Sequence, residues 1–282
     1  QRQMCIRDRK LGLFDYVIKN NFEKVLVGLS GGIDSALTAT IAVDALGSDN
    51  VVGVALPSKY NTEESLVDAR LLAENLDIEF KVIEIEELVN NFRNILKESV
   101  NDELGPITDE NIQSRVRGNI LMALSNQTGA MVVSTGNKSE MAVGYSTLYG
   151  DLAGGFALLK DLYKTEVYNL ANFRNSISNV IPQNTIDKEP SAELRPDQFD
   201  KDSLPEYELL DEILRMYIEE DSSSEKIISK GIDESIVYDV LSKVDRNEYK
   251  RKQVAPGVKL TEKAFGKDRR MPITTTYIRE RG

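Results

Sequence analysis

Apolar residues along this chain fall into short β-rich runs separated by longer stretches with helical spacing. Lys24–Leu29 (KVLVGL) and Val51–Leu56 (VVGVAL) are almost continuously apolar, as strands buried on both faces are. Glu79–Ile85 (EFKVIEI) alternates, the pattern of an edge or half-buried strand, and Ala130–Ser134 (AMVVS) reads as a fourth strand. Between the first two, Ala36–Leu46 is apolar nearly all round, which suits a helix packed on a sheet. Leu66, Ala69, Leu72, Ala73 and Leu76 form a helical stripe between the next two. Another stripe comprises Ile112, Val116, Ile120 and Leu124. Strands alternating with helices through short connections predict an α/β fold with a doubly wound parallel sheet and flanking helices.

Beyond Gly150 the pattern changes to a mostly helical C-terminal part, with helices predicted at Tyr163–Phe173 and Tyr207–Glu219. Between them, residues 184–205 (NTIDKEPSAELRPDQFDKDSLP) are polar and carry Pro190, Pro196 and Pro205. A structureless stretch this long inside a compact domain is expected to be a binding lid that orders on its ligand. The tail from Asn247 to Gly282 is basic, with YKRK and GKDRR.

The first strand runs straight into Ser30-Gly31-Gly32-Ile33-Asp34-Ser35. Neither the lysine of a Walker loop nor the spacing of a dinucleotide-binding fingerprint is present. The turn can still hold an anion, because two glycines free backbone N–H groups to face inward and the following helix start adds partial positive charge. A plain strand-to-helix turn capped by Asp34 or Ser35 would need the same residues.

Composition narrows the chemistry. With 282 residues, net charge −11, no histidine and the single cysteine Cys5, the chain offers no broad basic face for nucleic acid. It also excludes a disulfide framework, Cys/His zinc sites and a histidine base. No run approaches the ~20 apolar residues of a membrane span, and QRQMCIRDRK has no signal-peptide core. The expectation is a soluble cytoplasmic protein with no membrane partner.

The string SGGIDS resembles the pyrophosphate loop of the N-type ATP pyrophosphatases, which split ATP into AMP and pyrophosphate. Within that superfamily, TGNKSE (Thr135–Glu140) and AVGYSTLYGD (Ala142–Asp151) resemble the NAD(+) synthetases. ENIQSRVRGNILMALSN (Glu110–Asn126), DLYKTEVY (Asp161–Tyr168), KEPSAELRPDQFDKDSLPEYELLD (Lys188–Asp211) and EYKRKQ (Glu248–Gln253) extend the likeness in order. It covers residues 11–282 as one synthetase domain, leaving 1–10 unmatched, and is closest to the synthetase domain of the glutamine-dependent branch. It implies an adenine nucleotide alpha hydrolase-like fold.

The resemblance also implies roles. ATP would contact Gly28, Leu29, Ser30, Gly31, Gly32, Ile33, Asp34, Ser35, Thr135, Lys164 and Ser191. Asp34 and Glu140 match magnesium ligands, and Asp34 and Lys164 would be catalytic. Deamido-NAD would be held by Asn111, Arg115, Glu140, Tyr145, Ser146, Thr147, Leu148 and Lys250. Lys138 and Lys160 are weaker candidates for neutralising phosphate. Leu148, Tyr249 and Gly155 stand where ammonia-only relatives carry a lysine, a histidine and an acid. The implied reaction amidates deamido-NAD at the expense of ATP. Cys5 precedes the matched segments and has no partner base, so ammonia is expected as the direct nitrogen donor, free or from a separate or missing glutaminase domain. Family members are homodimers or larger. The alternatives are another ligase of the superfamily, such as a GMP synthetase ATP domain or a tRNA-modifying enzyme, and a module that binds ATP without turning it over.

Overall fold

The computed structural model describes residues 2–100 and 102–274, so the last part of the basic tail, residues 275–282, lies outside the described residues. Five parallel strands form one sheet: β1 Val25–Gly28, β2 Val51–Ala55, β3 Glu79–Val82, β4 Met131–Ser134 and β5 Phe156–Ala157. Their order is β3-β2-β1-β4-β5. The alternating segment becomes the edge strand β3, and β5, only two residues long, closes the other edge.

Side chains alternate between two covered faces. Val25, Val27, Met131 and Val133 pack with α1 (Arg2–Lys19), α2 (Ile33–Leu46), α3 (Glu63–Asn75) and α7 (Lys164–Ile177). Leu26, Val52, Val54, Ala130 and Val132 pack instead with α4 (Glu86–Val100) and α5 (Pro106–Thr128). Burial on both faces is why β1, β2 and β4 read as unbroken apolar runs. α2 is buried around most of its circumference, as its composition requires.

A second core holds the C-terminal part together. α9 (Tyr207–Ile218) and α11 (Glu234–Arg246) bury Leu210, Ile213, Leu214, Val237, Val240 and Leu241 against α6 (Lys138–Val143). Short helices α8 (Gln183–Asp187), α10 (Ser224–Ile228) and α12 (Glu248–Arg251) connect the rest. Among the described residues, no helix is long and apolar enough to cross a membrane.

α1 runs through residue 10 without a break. Ile6, Leu13 and Val17 join the main core, and Arg9 is buried beside them. The Arg9 guanidinium donates to the carbonyls of Cys5 (3.2 Å) and Asp161 (3.3 Å). Asp161 in turn accepts from the Leu260 and Thr261 N–H groups, each at 2.7 Å, and pairs with Lys138 at 2.9 Å. Three distant segments thus meet at one loop, just ahead of α7.

Candidate active site

The strand order reverses direction between β1 and β4, because the chain leaves β1 toward β2 and returns on the other side at β4. Loops at the carboxyl ends of such neighbours diverge and leave a crevice. A cavity of about 300 Å³ opens there. It is lined by the β1–α2 turn, the β2–α3 turn, residues 134–140, Lys164 and residues 188–194.

The β1–α2 turn is built for close approach. Gly31 has φ +82°, and a Cβ there would lie 2.3 Å from the Ser65 carbonyl oxygen, so only glycine fits. Ser35 Oγ donates to Gly32 O at 2.9 Å, while the Ser30 N–H donates to Ser35 Oγ at 3.3 Å. Gly28, Leu29, Ser30, Gly32, Ile33 and Asp34 line the cavity; Gly31 and Ser35 shape the turn behind them.

Asp34 lies in the first turn of α2, and Glu140 in the first turn of α6. Between them stands the ammonium of Lys164, the first residue of α7, 2.5 Å from Asp34 Oδ2 and 3.2 Å from Glu140 Oε1. Burial would lower the lysine, but Asp34 and Glu140 outweigh it and hold its pKa well above the usual lysine value. Burial pushes the Glu140 carboxyl up to about 8, against the pull of Lys164 and with the help of Asp34 and Asp200. The lysine is anchored from its own backbone: its N–H donates to Ser139 Oγ at 2.9 Å, and Ser139 donates to Asp211 at 2.5 Å.

Asn137 was not singled out by the sequence reading, yet it joins the two carboxylates. It is fully buried, its Oδ1 caps α6 by accepting the Glu140 N–H at 3.0 Å, and its Nδ2 donates to Asp34 Oδ1 at 2.9 Å. The signal was present as Asn137-x-x-Glu140, the spacing of a capping box.

The segment after α8 closes over the cavity through Glu193. Its carboxylate accepts from Ser65 Oγ (2.5 Å) and Asn61 Nδ2 (2.8 Å) and pairs with Lys188 at 3.0 Å. Ser191 lines the cavity and donates to Gln198 O at 2.5 Å. Arg117, also in the lining, donates to Leu56 O and Asn61 Oδ1, each at 2.9 Å. These partners are neutral oxygens, and burial lowers the guanidinium to about 10. Arg117 thus staples the β2–α3 turn that Glu193 grips.

The remaining candidates gather around the turn after α6. Asn111 Oδ1 accepts from Thr147 Oγ1 at 2.7 Å, and Arg115 Nε donates to Leu148 O at 3.2 Å. Lys250 Nζ donates to Gly144 O (2.7 Å) and Ser146 O (2.8 Å). Tyr145 reaches the main cavity together with Thr135 and Glu140. Arg115 instead lines a second, largely apolar cavity of about 700 Å³ with Phe92, Leu96, Met122 and Tyr149. Lys138 and Lys160 line neither cavity. Lys138 is sunk among Asp161, Glu219 and Thr261, and Lys160 donates to Ala255 O at 2.9 Å.

Magnesium fits this donor set in one respect that matters. The main cavity presents Asp34, Glu140, Asp151, Glu189, Glu193 and Asp200 against Lys164, Lys188 and Arg117. A divalent cation would offset the charge between so acidic a lining and a polyphosphate. Among the described residues, no group of three or more His, Cys, Asp or Glu is placed to hold a metal unaided. Mg²⁺ is commonly bound by one or two carboxylates completed by substrate phosphates, which is what Asp34 and Glu140 offer.

Fold and site together define an α/β nucleotide-binding protein of the pyrophosphate-loop type. The model of the NAD synthase family matches residues 5–254, and the chain belongs to that family. It is 54% identical over 270 residues to the glutamine-dependent NAD(+) synthetase of Aquifex aeolicus, an alignment that takes in 96% of this chain and 48% of the relative. The glutamine-dependent NAD+ synthetase of Acinetobacter baumannii, solved with ADP, superposes with TM-score 0.65 at 46% identity, over 96% of this chain and 49% of that one. The NH3-dependent NAD synthetase of Campylobacter jejuni superposes with TM-score 0.73 at 30% identity, over 89% and 96%. The chain spans about half the length of the curated relatives it matches.

Proposed function

We propose that this chain amidates the nicotinate carboxylate of deamido-NAD to give NAD, consuming ATP and ammonia and releasing AMP and pyrophosphate. The observation that carries this reading is the meeting of Asp34, Glu140 and Lys164 at the mouth of the glycine turn. A carboxylate cannot exchange an oxygen for ammonia directly, since oxide would have to leave. Its oxygen attacks the α-phosphorus of ATP, forming the P–O bond of an acyl-adenylate as the bond to pyrophosphate breaks. Ammonia then adds to the acyl carbon, loses a proton, and displaces AMP.

Two anions meet in the first step, so neutralising charge is the protein's main task. The amides of Ser30–Gly32 and the start of α2 face the departing pyrophosphate, and Lys164 supplies a mobile positive charge. Asp34 and Glu140 would hold Mg²⁺, which when bound withdraws charge from the phosphates. Thr135 and Ser191 would orient ATP, and residues 184–205 would act as its lid. Tyr145–Leu148, held from behind by Asn111, Arg115 and Lys250, would shape the dinucleotide site.

We further place the enzyme in the cytoplasm and pair it with a second copy of itself. Arg115, expected to reach the dinucleotide, faces the apolar cavity between α4 and α5, so covering that face would complete the site.

The test is NAD formation by the purified chain with ATP, Mg²⁺ and deamido-NAD. Ammonium is expected to support turnover with stoichiometric AMP, and glutamine in ammonia-free buffer is not. Turnover on glutamine alone would overturn the ammonia assignment. AMP release with xanthylate but not with deamido-NAD would overturn the function itself.

A further inference from the structure

Four oxygen atoms decide what can stand between Asp34 and Glu140, and they divide two and two. Asp34 Oδ1 accepts from Asn137 Nδ2 at 2.9 Å, and Glu140 Oε2 accepts from the Asn137 N–H at 3.4 Å. The other oxygen of each carboxylate, Asp34 Oδ2 and Glu140 Oε1, takes the Lys164 ammonium at 2.5 and 3.2 Å. One asparagine fixes the backs of both carboxylates, and one lysine spans their fronts. Those two oxygens are hard donors of the kind a divalent cation would need, and one ammonium engages both.

We propose that Lys164 holds the metal's place in the nucleotide-free protein, excluding a divalent cation until a polyphosphate offers the ammonium another anion. The lysine is nearly buried, and it begins a helix whose N-terminus is fixed by Ser139 and Asp211. A lysine's flexible four-carbon stem lets the ammonium change partners while the backbone stays put, which a rigid guanidinium fork does less readily. In the same position the ammonium lies 5.2 Å from the centre of the Tyr207 ring. A cation arriving alone would have to displace the ammonium from both carboxylates at once, with no new anion supplied in exchange. A cation arriving on a polyphosphate brings the replacement anion with it. Metal and nucleotide therefore enter together, and an unproductive metal-only complex is suppressed.

This inference rests on the function proposed above for the identity of the polyphosphate, but its test reads metal binding without nucleotide or turnover. Mn²⁺ serves as the probe, with the free ion followed by electron paramagnetic resonance. Nucleotide-free Lys164→Met is expected to bind one Mn²⁺ about tenfold more tightly than the unaltered chain. Adding Asp34→Asn to that variant should abolish the gain. A change of less than threefold, or a gain that survives Asp34→Asn, overturns the proposal. Should Lys164→Met fail to fold, crystals of the unaltered chain soaked in Mn²⁺ carry the test. No anomalous peak between Asp34 and Glu140 supports the exclusion, and a peak there overturns it. Failure of the amidation assay would remove the proposed function and leave the Mn²⁺ result to stand or fall by itself.

Discussion

The side-chain amide of Asn137 serves a helix cap with its oxygen and a carboxylate with its nitrogen, and mutation can separate the two. Asn137→Ser keeps an oxygen acceptor for the α6 cap, because serine is as good an N-cap as asparagine. It removes the donor to Asp34 Oδ1, leaving one half-buried carboxylate oxygen without its partner. A hydrogen bond to a charged group contributes about 1.5–3 kcal/mol. The expected outcome is unchanged helical circular dichroism with KM for metal–ATP raised about tenfold, by the same magnitude. Steady-state kinetics against ATP at saturating deamido-NAD checks it. An unchanged KM would show that Asp34 keeps its orientation without this bond. The same side chain shows how a residue hides in a sequence: its capping-box spacing was legible, but the reach to Asp34, 103 positions earlier, was not.

At the level of elements, the strap from Lys188 to Leu194 is tied to the β2–α3 turn through the carboxylate of Glu193. Burial alone would raise Glu193, but Ser65, Asn61 and Lys188 outweigh it and hold the group below the usual glutamate value. A folded-state pKa below the unfolded one gives stability that is present above about pH 4.3 and lost as pH falls through the lower folded value. Hydrogen exchange by mass spectrometry, corrected for intrinsic rates, should therefore show residues 188–194 losing protection on acidification before β1 and β4 do. Glu193→Gln should show the same loss at neutral pH, equivalent to about 1–3 kcal/mol. Simultaneous loss across strap and sheet would contradict this. Elements with strong patterns were legible: β1, β2, β3 and β4, the all-round apolar run of α2, the stripes of α3 and α5, and the helices expected at α7 and α9 lie where the sequence put them. β5 escaped because Phe156–Ala157 is too short to show a period, and α1 because Arg9 stands among its core-facing positions. The triad of Asp34, Glu140 and Lys164 was named from motif resemblance, and only the crossover at β1 and β4 explains why residues so far apart meet.

For the whole molecule, one unusual surface is the outer face of α4. Leu88, Phe92 and Ile95, spaced i, i+4 and i+7, are 45%, 47% and 62% exposed, while Val89 is the buried residue of that helix. Three large apolar side chains on one helical face next to an apolar cavity form a patch of the kind that marks an interface. A second copy of the chain is the occupant we propose. Phe92→Glu should shift the mass measured by light scattering from dimer to monomer with little change in melting temperature. It should also raise KM for deamido-NAD more than KM for ATP, because Arg115 shares the cavity with Phe92. An unaltered chain that is already monomeric would rule out the pairing.

The junction of Arg9, Asp161 and Thr261 bears on how the polypeptide reaches this state. The Arg9 contact closes a span of 152 residues, and the Asp161–Thr261 contact a further 100. Closing such spans costs chain entropy before any contact rewards it, so high contact order slows folding. A nascent chain leaving the ribosome can assemble β1, α2 and β2 early. Lys138 and Arg9 can reach Asp161 before residue 261 has emerged, but its carboxylate gains the Leu260 and Thr261 hydrogen bonds only afterwards. The loop that presents Lys164 is thus among the last parts to set, and the site matures only when nearly all of the described fold is in hand.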